Sequence, residues 1–254
     1  MIVGIIALIT ALFFGGPGEI FYVDDLEKGI KKNILDKERK KEILADFKIT
    51  KEVIKDYEKQ RKKDFKVFKN IYSSFNTTNT DLESFFNNLL AARNKYQNTI
   101  IDKRILIFEK IEDQEWSNIL ESSITASQKR IEKLEKKASK GKDRFEKTKA
   151  SVNNSNISKD QKDLIQEGLE EVGYTAAQLE KTLLSINPNS DKILANKHSK
   201  KDKLLELVKK DSQTRSEFIN AVINFHQIVK NNSNEDGFND IIKAFLKEVN
   251  MSSK

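Results

Sequence analysis

Apolar residues return every three or four positions along most of this 254-residue chain, and almost nothing interrupts them: it has two prolines, Pro17 and Pro188, and nine glycines. A strand-rich chain needs alternation with period two and many more turn residues. The period here is that of a helix, whose neighbours three and four apart share a face. Hydrophobic residues make up 37% of the chain and charged residues 33%. So little apolar material suits long helices that each bury one narrow stripe. The expected fold is all-α: an N-terminal membrane helix followed by long antiparallel helical hairpins, with the marks of a tandem duplication.

The stripes place the helices. Ile43, Phe47, Thr50, Ile54, Tyr57, Phe65, Phe68 and Tyr72 advance in steps of three and four, with one longer gap that Arg61 fills. Residues 73–79 read as a turn, and Thr80–Glu83 as a capping box, in which hydroxyl and carboxylate satisfy free amides at a helix start. Phe85, Leu89, Ala92, Tyr96, Ile100, Ile107 and Ile111 mark a second helix, antiparallel to the first because the connection is short. Acids at 112–115 before Trp116 favour a third helix start. Residues 142–157 read as a linker rich in Ser and Asn. Ser158–Gln161 is a second capping box, Pro188 interrupts the helix behind it, and further helices carry Leu204 to Val229 and Phe238 to Leu246. The expected divisions are 1–23, membrane anchor and interfacial segment; 24–141, first helical unit; 142–157, linker; and 158–254, second helical unit.

Residues 2–14 form an unbroken apolar run. As a helix it would reach roughly 20 Å, short of a hydrocarbon core of about 30 Å. Gly15, Gly16, Pro17 and Gly18 then break it, and Ile20 to Val23 restore apolar character with aromatics suited to the interface. A cleaved signal peptide would carry a basic flank before the run and small residues at a cut site. Neither is present, so an uncleaved single-pass anchor is the expectation. Lys28, Lys31 and Lys32 after the anchor pull the body toward the cytoplasm, and Asp24, Asp25 and Glu27 soften that pull.

The net charge is +7, and lysines are mixed with acids on every helix, as on solvated faces. Basic residues concentrate twice, around Lys59, Arg61, Lys62 and Lys66, and around Lys133 and Lys137. The aromatics follow the apolar period, so they pack inward rather than standing ready to stack on bases, and nucleic acid is disfavoured. An acidic protein partner or anionic lipid headgroups fit the basic runs better.

Chemistry-bearing patterns are lacking. There is no cysteine, the two histidines (His198 and His226) are far apart, and no phosphate loop, nucleophile elbow or zinc helix motif occurs. The chain is not expected to be an enzyme or to use a cofactor or metal.

Ile157–Gln161 and Ile111–Trp116, with Arg93 and Arg104 on the helix before Trp116, resemble the helix-start motifs and basic concave face of the Spy/CpxP class of periplasmic helical proteins. Asp36 and Glu112 stand where that motif has threonine. The amphipathic stripes and the lack of a chemical site point to a membrane-anchored binding or scaffold protein, and the resemblance implies a membrane-stress sensor or client-binding chaperone, with its body on the extracytoplasmic side and a protein client as partner. The alternative is a cytoplasm-facing basic protein on anionic lipid or nucleic acid. The candidate binding surface is Lys59, Arg61, Lys62, Lys66, Arg93, Arg104, Lys133 and Lys137.

Overall fold

The computed structural model describes residues 26–121, 145–184 and 188–250, which are helical apart from short connections. In chain order the helices are α1 (Leu26–Asn33), α2 (Lys37–Tyr72), α3 (Asn79–Glu109), α4 (described over 113–121), α5 (Glu146–Asn154), α6 (Lys159–Leu184), α7 (Pro188–Ala195), α8 (Lys201–Asn232) and α9 (Glu235–Asn250). The anchor expected at 1–23 and the basic cluster around Lys133 and Lys137 lie outside the described residues. Among the described residues no helix is long and apolar enough to cross a membrane.

Local chemistry sets the helix starts. Asp36 accepts from the Arg39 amide at 2.8 Å and begins α2, so the stretch from Leu26 to Tyr72 is two helices rather than one. The box before α3 is Thr78 with Asp81, two residues earlier than the Thr80–Glu83 reading. Asp81 wins because Thr78 has the extended backbone a cap needs, whereas Thr80 is already helical. The Ser158–Gln161 box forms as expected. Pro188 opens α7 rather than only ending α6, consistent with a first-turn proline losing no helical hydrogen bond.

The reading of 142–157 as a linker is corrected by α5, which fills residues 146–154 of it. Thr148 and Val152 are fully buried there. One apolar and one hydrogen-bonded polar residue a turn apart on a polar helix suffice once a neighbouring surface covers them.

Packing follows the stripes. Tyr57 stacks on Tyr96, and Phe68 meets Phe86 lower down, so α2 and α3 run antiparallel. Asp102 pairs with Lys201 and Asn94 approaches Ser212, which sets α8 antiparallel to α3. A Cβ on Gly168 of α6 would stand 2.8 Å from Ile228 of α8, a close approach that only glycine permits without displacing that side chain. Among the described residues two apolar cores result. One joins Phe68, Tyr72 and Phe86 with residues of α5, α6, α8 and α9, so it draws on both sides of residues 142–157. The other joins α1, Ile43, Ile100, Phe108, Trp116 and Ile119.

The connection after α7 ties the chain's halves together. Arg104 donates to the carbonyls of Leu194 (2.7 Å) and Asn196 (3.3 Å), and Trp116 Nε1 donates to Ala195 (2.6 Å). Lys197 reaches the Ile111 carbonyl at 2.6 Å and Asp113 at 2.9 Å. These donors satisfy carbonyls that the end of a helix leaves open. Trp116→Phe keeps an aromatic ring, though a smaller one, and removes one buried donor. It should lower stability by about 1–2 kcal/mol in urea unfolding; an unchanged midpoint would mean that the bond contributes nothing.

Candidate functional site

Helical geometry separates the basic residues of α2 into two sets. Lys59, Lys62, Lys66, Lys69 and Ser73 advance in steps of three and four along one face. Lys59, Lys62 and Lys66 are exposed, and Lys69 is half-buried with its ammonium 5.3 Å from the Phe65 ring centroid. The stripe runs into a shallow groove of about 340 Å³ between the end of α2 and α9, lined by Lys69, Ser73, Asn239, Lys243, Leu246 and Lys247. Leu246 and the lysine stems make its floor apolar. Among the described residues, none of Lys62, Lys66, Lys69, Lys243 and Lys247 pairs with a carboxylate, whereas Lys51, Lys110 and Lys201 elsewhere do. Asp240 flanks Lys243 in sequence on α9 and is exposed. The arrangement is a basic trough suited to negative charge presented beside an apolar group.

Arg61, Arg93 and Arg104 do not belong to a surface, and their assignment to one is corrected. They are 3%, 4% and 1% exposed. Each occupies a position of an apolar stripe: Arg61 between Tyr57 and Phe65, Arg93 between Leu89 and Tyr96, Arg104 between Ile100 and Ile107. Arg61 lies 4.9 Å from the Tyr57 ring centroid and pairs with Asp64 at 2.5 Å. Arg104 lies over Phe108 at 4.2 Å, and burial lowers its pKa to about 9, still leaving the guanidinium charged at neutral pH. Of the eight candidates, the structure places Lys59, Lys62 and Lys66 together on the exposed stripe, takes three arginines inside, and does not describe Lys133 and Lys137.

The sequence reading missed Lys243 and Lys247 as partners of that stripe. Their spacing of four was visible, but nothing local reveals that α9 lies beside the end of α2. His226 is fully buried, against Tyr72 and Phe238 at centroid distances of 4.8 and 5.1 Å. It is a packed side chain with no access to a ligand. Among the described residues no group of three or more acids and histidines is placed to hold a metal ion. No protein-family model, no curated protein and no solved structure matches the chain.

Proposed function

We propose that this protein is a non-catalytic helical binding or scaffold protein that holds an acidic protein partner along the Lys62–Lys66–Lys69 stripe and the groove beside Lys243 and Lys247. The observation that carries the reading is that Lys69, Lys243 and Lys247 line one groove, that Lys62 and Lys66 continue it along the exposed face of α2, and that none of the five pairs with a carboxylate among the described residues. Rim charges of this kind steer and select a partner more than they bind it, and the apolar floor adds contact area. Residues 2–14 tether the body to a membrane, and the helix-start resemblance favours an extracytoplasmic body with a client-binding role. Two antiparallel pairs, α2–α3 and α6–α8, are consistent with a duplicated hairpin.

The test is charge reversal in the full chain. Lys69→Glu, Lys243→Glu and Lys247→Glu together should weaken binding of a Glu-rich, Leu-containing peptide at least about tenfold by fluorescence anisotropy, with helicity unchanged. Anionic vesicles and duplex DNA serve as competitors. Peptide binding unaffected by the reversal would sink the groove, and preference for vesicles would replace the protein partner by a lipid surface. A reporter fused after Lys254 that is active only in the cytoplasm would remove the extracytoplasmic placement.

A further inference from the structure

We infer that the seam between α2 and α3 binds one small monovalent anion of halide size, held by Arg61 and the hydroxyls of Tyr57 and Tyr96. All three side chains are at least nine-tenths buried, at 3%, 9% and 7% exposure. Arg61 Nε and Nη1, Tyr57 Oη and Tyr96 Oη have no hydrogen-bond partner, and neither do the acceptors Gln97 Oε1 and Asp64 Oδ2, the latter held only by its ion pair with Arg61 Nη2. Buried polar atoms are paired in the great majority of cases, and an orphaned one costs its full desolvation. Six of them lie along one seam, and the four that can donate call for a partner that accepts.

The imbalance of the set identifies the partner. Two of the orphans are guanidinium N–H groups, which can only donate. Burial pushes the Tyr96 phenol well above its ordinary pKa, so it too keeps its proton to donate. Gln97 Oε1 and Asp64 Oδ2 are purely acceptors, and Asp64 already faces Arg61 Nη2, so four donors stand against two acceptors. Water brings two hydrogens that themselves need acceptors, whereas an anion accepts from every donor around it. Arg61 Nη2 already meets Asp64, so the ion faces the remaining nitrogens. Arg93, a second buried guanidinium, and the Glu58 carboxylate both act on Tyr96 at the seam. The Tyr rings lie 3.7 Å apart at their centroids with planes 5° from parallel. Rings packed this closely favour the smallest anions over a phosphate ester or an organic acid.

The test uses the full chain at constant ionic strength, with sodium gluconate replaced stepwise by sodium chloride. The melting temperature should rise saturably, by about 4 °C at chloride well above its dissociation constant. Crystals grown in bromide should show an anomalous peak between Arg61 and the two tyrosines. Tyr57→Phe and Tyr96→Phe preserve the ring stack and should each shrink the chloride effect, and Arg61→Met should abolish it. A variant carrying Lys69→Gln, Lys243→Gln and Lys247→Gln should keep it, which separates the seam from the groove. No chloride dependence, dependence that survives in both Tyr variants, or dependence lost with the lysines would each overturn the site. If Arg61→Met fails to fold, the Tyr variants decide.

Discussion

Glu248→Ala is expected to destabilise the fold by about 3 kcal/mol or more, lowering the melting temperature by roughly 6–12 °C. The carboxylate comes from α9, is 3% exposed, and caps the start of α5 from a hundred residues away. It accepts from the amides of Lys147 (2.9 Å) and Thr148 (3.1 Å) and from the Thr148 hydroxyl (2.5 Å). Helix α5 has no cap of its own: Phe145 precedes it with φ at 65°, in the left-handed region, and makes no side-chain cap bond. A negative charge at a helix start also meets the positive end of the dipole. Removing it orphans three donors at once. Glu248→Gln retains the shape and part of the hydrogen bonding, so it should lose less. Equal urea midpoints for wild type and Glu248→Ala would show that α5 does not depend on this cap.

Acidification provides the second large effect. Burial brings His226 from the ordinary value of 6.5 down to about 4, with Lys230 adding repulsion and the carbonyls of Tyr72 and Ser74 opposing the shift. The folded state therefore prefers the neutral ring, while the unfolded chain takes up a proton below about pH 6.5. Stability should fall as pH drops through that range, reaching a loss of roughly 3 kcal/mol near pH 4. Between pH 6.5 and about 5 the histidine acts nearly alone. Glu27, whose pKa is held to about 2 by Lys31 and Lys51, and the lowered Asp81 and Asp113 lose their stabilising effect only in more acidic solution. Urea unfolding at half-unit pH steps should show the slope in wild type and its absence in His226→Phe. A slope that survives the substitution would assign the acid sensitivity to another group.

Much of the fold was legible because helical periodicity is local. The residues that mark α2 and α3 are the ones the cores use: Ile43, Tyr57, Phe68 and Tyr72 on one helix, Leu89, Tyr96, Ile100 and Ile107 on the other. The burial of the arginines was legible too. Arg61 fills the gap in its stripe and Arg104 the gap between Ile100 and Ile107, so period outranks charge in placing a long side chain, whereas Arg93 is buried one position past the Ala92 of the expected stripe. Treating them as a basic surface gave weight to residue type over residue position. The α5 helix was not legible in the same way. Its sequence is polar and rich in Ser, Asn and Lys, and it is a helix because Glu248 caps it and α9 covers Val152.

The sequence by itself determined the fold class, most helix positions and the lysine stripe on α2, since spacing along one helix fixes which residues share a face. Only the tertiary structure decided that the stripe continues into Lys243 and Lys247, and that Arg104 and Trp116 clamp the connection after α7. It also decided that Tyr57 and Tyr96 meet with orphaned hydroxyls. Each of these joins residues about forty to nearly two hundred positions apart. Such contacts follow from how helices pack against each other, and no periodicity within one helix encodes its neighbour.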